Sequence, residues 1–398
     1  MMKLHLTNTP RQIYTGAKNA EQTAMQSSLP YPPLARQMGA TPEEWNDASW
    51  QLRHSFHSVE QLETALELTD DERTALAQTK RLAVRITPHF LSLIRADDPA
   101  DPLRLQVIPR TAELQVHPEE MDDPCGERRD EKTPGLVHRY PDRVLLLCTD
   151  RCSTYCRYCT RSRLVSGASG ERLHADFGAA LSYLRAHSEV RDVLLSGGDP
   201  LLLTDARLEE MLSALRGIPH IELLRLGTRA PIMLPRRITP ELCRMLRRYA
   251  PLYVSLHCNH PRELCSEAER ALGLLADHGI PLGNQSVLLR GVNDSAEVQR
   301  QLSHRLLQCR VRPYYLYQCD LAPGTRHFRT GLDEGIAIIA AMRGFTSGYA
   351  IPQYVVDAPG GGGKIPLNPD YIAATNASAT TLRNYNGSLY TYPDGIGH

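Results

Sequence analysis

Residues 152–159 read CSTYCRYC, directly after the apolar run VLLLC at 144–148. Three of the ten cysteines fall in this stretch, as CxxxCxxC, and the other seven are scattered. Iron–sulfur clusters are held by thiolates, usually four of them. Cys152, Cys156 and Cys159 would hold three irons and leave the fourth open to a substrate, as a catalytic zinc keeps one position open. Unligated thiols or part of a zinc site are the other readings, but no nearby fourth Cys or His stands at ligand spacing.

Outward from this loop, short apolar runs alternate with amphipathic stretches. After VLLLC come DVLLSGG (192–198), IELLRLG (221–227), LYVSLH (252–257), IPLGNQSVLL (280–289) and YYLYQCD (314–320), separated by helical patterns such as ARLEEMLSALRGI. Strand and helix repeating at roughly 30-residue spacing predict βα units and a parallel sheet. Six units are too few for a complete (β/α)8 barrel, so the expected fold is an α/β, partial (open) six-unit barrel. Cys152, Gly197, Arg229, His257, Gln285 and Asp320 all fall at or just past the C-terminal ends of these runs, where parallel α/β folds place ligands.

Upstream, Thr41-Pro42-Glu43-Glu44, Ser58-Val59-Glu60-Gln61 and Thr69-Asp70-Asp71-Glu72 have capping-box spacing, and Thr87-Pro88 can open a further helix. The chain therefore divides into an N-terminal arm (1–40), polar and without periodicity, a helical region (41–115), the partial barrel (116–364) and a C-terminal extension (365–398). In the extension, Asn386-Gly387 between alternating residues predicts a β-hairpin.

Lys plus Arg and Asp plus Glu both number 45, which gives no electrostatic reason to expect nucleic acid or a membrane surface as partner. No apolar run has the length of a signal peptide or a membrane span. The expectation is a soluble cytoplasmic protein whose cysteines stay reduced, where a cysteine cluster is more often metal-binding or catalytic than bridged.

The cysteine loop, with Tyr158 before its last cysteine, resembles the radical S-adenosylmethionine (SAM) superfamily. The resemblance implies a 4Fe-4S cluster whose open iron chelates SAM, and a role for Ser196, Gly197, Gly198 and Asp199 at the methionine amino group. A second unusual stretch, DAPGGGGK (357–364), is no Walker loop, because Ile365 follows Lys364. With CSxYCRxCTR, LLSGGD, HCNHP, PLGNQSVLLRGVND, YYLYQCD, HFRT and VVDAPGGGGK in order, the chain is similar to the lysine 2,3-aminomutase family from about Trp45 onward.

That resemblance implies that Lys364 carries pyridoxal 5'-phosphate, with a flexible glycine loop letting the amine withdraw. It places Arg139, Tyr140 and Arg143 at the cofactor phosphate, Arg161 on the substrate carboxylate, and His257 and Gln285 in the SAM pocket. Asp320 and Asp357 match the pair that holds a distal ammonium. A cationic substrate is therefore implied: L-lysine by default, with arginine or ornithine satisfying the same charge argument. Another radical SAM enzyme that consumes SAM, and a non-catalytic metal-binding protein, are the alternatives. Ser295 follows Asp294 and no Cys follows Cys319, so no structural zinc is expected. The resemblance also implies a flavodoxin- or ferredoxin-type electron donor and a homo-oligomer.

Overall fold

The computed structural model describes residues 31–168 and 170–393; most of the expected N-terminal arm lies outside them. Its last part is not irregular: Pro33–Gln37 is a helix that buries Leu34 and Ala35. The capping boxes at Thr41, Ser58 and Thr69 all form, opening helices Pro42–Trp45, Val59–Glu63 and Asp70–Gln78. Thr87 accepts from the Phe90 N–H at the start of Pro88–Leu91. In each, the threonine or serine oxygen takes up a backbone donor that the first helical turn leaves orphaned.

The main sheet has ten strands hydrogen-bonded in chain order. They are β1 Glu131–Thr133, β2 Leu136–Tyr140, β3 Arg143–Thr149, β4 Asp192–Gly197, β5 Leu223–Thr228, β6 Leu252–Leu256, β7 Leu282–Leu288, β8 Val311–Gln318, β9 Gln353–Ala358 and β10 Gly363–Pro366. Strands β3 to β9 pair in parallel, while β1, β2 and β10 add antiparallel edges. β1 and β10 do not pair with each other, so the barrel is open. The six apolar runs are β3 to β8. β9 is an additional parallel strand that the sequence reading did not separate from the glycine loop.

Side-chain alternation along these strands explains both the core and the cavity. Val193 and Leu195 on β4, Leu224 and Leu226 on β5, and Val254 and Leu256 on β6 are buried in the main core. The alternate positions, Asp192, Leu194 and Ser196, Arg225 and Gly227, then Ser255, line a cavity instead. One face of each strand thus holds the fold, and the other is free to carry chemistry.

The expected hairpin is the last part of a separate three-stranded meander, β11 Ile372–Thr375, β12 Ala379–Arg383 and β13 Leu389–Pro393. The Gly387 N–H donates to the Asn384 carbonyl in the turn. Among the described residues no helix is long and apolar enough to cross a membrane.

Candidate active site

A cavity of about 580 Å³ occupies the inner face of the open barrel, a size typical of small-molecule sites. Every candidate residue from the sequence lines it: the three clustered cysteines, Arg139, Tyr140, Arg143, Arg161, Ser196 to Asp199, His257, Gln285, Asp320, Asp357 and Lys364. The cavity is not confined to the strand ends. Arg143, Asp192 and Arg225, from the N-terminal halves of three strands, belong to it as well.

At the cysteine end, the glycine motif has a packing cause. A Cβ on Gly198 would lie 2.2 Å from the Arg151 carbonyl oxygen, so only glycine lets the β4 end meet the cysteine loop. There Gly198 N–H donates to Thr149 and Asp199 N–H to Arg151. The Asp199 carboxylate, read from sequence as a group for the methionine amine, lines the cavity and is also hydrogen-bonded to the chain. It accepts from Thr228 Oγ1 at 2.7 Å and from the N–H groups of Arg229 and Leu201 at 2.9 and 3.0 Å. Its position is that of a brace joining β4 to β5.

Burial raises the Cys159 thiol to about 11 and Cys152 well above its ordinary range, with neighbouring cysteines adding to the effect. Bound metal would reverse that, since a coordinated thiol deprotonates outright. Among the described residues the group of ligand atoms lying within 4.8 Å of one another is Cys125, Asp320 and Asp357, so the three clustered sulfurs are more widely spread. The donor set fits a cluster with one iron per cysteine. His257 is held neutral, lowered to about 3 by burial and then by Arg229; its Nε2 lies 2.9 Å from the Tyr158 hydroxyl.

At the other end, Lys364 on β10 pairs directly with Asp357 on β9. Its Nζ lies 3.2 and 3.4 Å from the two Asp357 oxygens and 5.3 Å from the centre of the Tyr317 ring. The Lys364 N–H donates to the Tyr140 hydroxyl at 2.9 Å, and Arg143 stacks over the Tyr140 ring at 3.9 Å. Asp320 is pushed up to about 7, first by burial and then by the nearby Asp357. Two carboxylates without enough cation between them make one keep its proton.

The glycine loop is tied to the rest of the chain at several points. Gly360 N–H donates to Pro124, and Arg129 donates to the Gly360 and Gly361 carbonyls at 2.9 and 2.6 Å. A Cβ on Gly126 would lie 2.7 Å from the Gly360 oxygen, so these glycines serve close backbone approach. Arg139 is also partly committed: Nε donates to Asp130 at 2.6 Å and Nη2 to the Cys125 carbonyl. Arg161 gives Nε to Glu127 at 2.7 Å and Nη1 to Ser196 at 3.3 Å, two of its five guanidinium donors. Sequence reading missed Cys125, Glu127, Arg129, Asp192 and Arg225, and gave Arg229 no role. The run DDPCGERRD carries three of the six, but nothing local marks it as facing the glycine loop.

The fold and this site define a radical SAM enzyme, and residues 146–300 match that superfamily; an iron–sulfur cluster and SAM are its cofactors. Residues 339–396 match the family described as lysine-2,3-aminomutase. The chain is 50% identical over 356 residues to L-lysine 2,3-aminomutase of Clostridium subterminale, covering 89% of this chain and 86% of that one. It is 46% identical to the Bacillus subtilis L-lysine 2,3-aminomutase (88% and 75% covered) and 40% identical to glutamate 2,3-aminomutase of Clostridioides difficile (90% and 85%). The chain belongs to the lysine 2,3-aminomutase family: it is a radical SAM 2,3-aminomutase, an isomerase.

Proposed function

We propose that this enzyme moves the α-amino group of a cationic L-amino acid to the β-carbon, L-lysine to β-lysine, with pyridoxal phosphate carried on Lys364. The observation that carries this reading is the charge pattern around Lys364. Its ammonium rests on Asp357 with Asp320 alongside, in the cavity that the cluster cysteines also line. Once the Lys364 amine is committed to a cofactor carbonyl, the carboxylate pair needs another cation, and the distal ammonium of lysine supplies it. A glutamate side chain would instead bring a third carboxylate into a buried site, which is strongly unfavourable.

The cluster, when bound, supplies the electron that generates the deoxyadenosyl radical, and pyridoxal phosphate holds the migrating nitrogen. The chain's own part is positioning. Cys152, Cys156 and Cys159 hold the cluster. Ser196, Gly197, Gly198 and Asp199 face SAM together with His257 and Gln285. Arg161, oriented by Glu127, takes the substrate carboxylate, a pairing that suits the guanidinium fork. Arg143 and Tyr140, with the remaining donor capacity of Arg139, take the cofactor phosphate. Fixing the substrate at both ends holds its β-carbon in place for the radical. The enzyme works in the cytoplasm with a flavodoxin- or ferredoxin-type donor. The exposed Leu389, Tyr390 and Tyr392 of β13 support a homo-oligomer.

Borohydride reduction in the presence of pyridoxal phosphate, followed by peptide mapping, tests the cofactor assignment. The pyridoxyl label is expected on Lys364 and absent from Lys364→Ala. A label on any other lysine, or none, refutes it.

A further inference from the structure

We infer that Arg229 is a positioning residue that sets the reduction potential of the cluster, by holding a buried guanidinium against the sulfur of Cys156. The inference rests on the reading of Cys152, Cys156 and Cys159 as cluster ligands.

Arg229 directly follows β5, and its backbone N–H is fixed on Asp199 at 2.9 Å. Its side chain turns inward, and the residue is only 8% exposed. Nη1 donates to Cys156 Sγ at 2.8 Å and to the Tyr158 hydroxyl at 2.7 Å. Nη2 donates to Gln106 Oε1 at 2.7 Å and to Glu263 Oε2 at 2.9 Å. Glu263 is fully buried and accepts from Gln106 and the Asn259 N–H through its other oxygen. The pair is thus oriented, with its positive end on the sulfur and its negative end behind. Among the described residues no side chain donates to the sulfur of Cys152 or Cys159.

Reducing the cluster adds one electron, and hydrogen bonds to cluster sulfurs and nearby charge set how readily that happens. A guanidinium donor at Cys156 favours the reduced form and raises the potential. Burial keeps the effect from being screened by salt. Glu263 moderates it. One residue therefore ties the glycine motif, through Asp199, to the electronics of one particular corner of the cluster.

The test is an EPR-monitored redox titration of anaerobically reconstituted wild type, Arg229→Gln, Arg229→Lys and Glu263→Gln, with iron and sulfide counted in each. Wild type that holds no cluster overturns the ligand reading and this inference together. With the wild-type cluster present, Arg229→Gln should lower the reduced-to-oxidised ratio at a fixed ambient potential about tenfold, a 59 mV shift for one electron. Arg229→Lys should fall between, and Glu263→Gln should shift the opposite way. An Arg229→Gln potential equal to wild type overturns the inference. If Arg229→Gln assembles no cluster, Glu263→Gln decides: a potential above wild type supports the assignment, and one at or below it overturns it.

Discussion

The two ends of the cavity are built on opposite principles. At the cysteine end, Asp199, Arg229, Tyr158 and Glu263 are hydrogen-bonded within the protein, and they frame the cysteines and the glycine motif rather than wait for a counter-charge. At the lysine end the charges satisfy one another only until a ligand arrives. Lys364 lies on Asp357, and Asp320 waits beside them with its carboxyl raised to about 7. A cofactor that stays in place asks for a finished frame, whereas a substrate that exchanges each turnover asks for a partner the chain can give up. The contrast teaches which residues to disturb: at the first end a change breaks the frame, and at the second it alters who binds.

The largest effect should come from the frame. Cys156→Ser removes a cluster ligand, and turnover should drop by at least about a thousandfold, with loss of the cluster's visible absorbance. Substantial activity in that variant would erase the distinction between the ends.

Next come the carboxylates. Asp320→Asn or Asp357→Asn removes one charge-assisted contact, worth about 1.5–3 kcal/mol, so KM for lysine should rise roughly 10- to 100-fold while cluster content is unchanged. Asp→Glu at either position should cost less, and equal steady-state kinetics in all four variants would remove the pair from substrate binding.

The raised Asp320 gives a pH signature. Its carboxyl holds a proton below about 7, and proton and ammonium compete for the same oxygens. Binding of lysine should therefore weaken as pH falls through 7, approaching about tenfold per pH unit in KM, and should release a proton near neutrality. Before substrate arrives the sign for stability is the reverse. The folded protein binds this proton more tightly than the unfolded chain does, so the contribution is full below about pH 4 and lost as pH rises toward 7. Asp320→Asn should flatten the KM profile; an unchanged profile would assign it to another group.

The smallest effect should come from Cys125, whose ligand atom lies within 4.8 Å of those of Asp320 and Asp357. Cys125→Leu adds bulk at the carboxylate pair and should shift preference from lysine toward the shorter ornithine by roughly tenfold, about the worth of one methylene in a tight pocket. Competition assays with both amino acids would detect it, and an unaltered ratio would place Cys125 outside the substrate's reach.

Much of this is legible in the sequence. β3 to β8 stand out because their apolar runs are long and separated by helical patterns, and the N-terminal helices because capping boxes are local signals. β9 escaped because QYVVDA runs straight into the glycines and reads as part of that motif. The contacts of the glycine loop with Pro124 and Arg129 were hidden for a related reason: they lie more than two hundred residues away in sequence. The same distance hid Arg229's role. Its side-chain partners Gln106 and Glu263 are remote from it and from each other, so a strand-end arginine looked ordinary. The hydrogen bonds that tie Asp199 to Thr228 and Arg229 were hidden in the same way.

The claim that the lysine end selects a cation is tested most directly by an anaerobic assay of the reconstituted enzyme with pyridoxal phosphate, SAM and reductant. L-lysine, L-arginine, L-ornithine and L-glutamate are offered separately, and α- and β-amino acids are resolved. The account predicts a β-isomer from lysine and none from glutamate. A β-isomer from glutamate, or none from any cationic substrate, would contradict it.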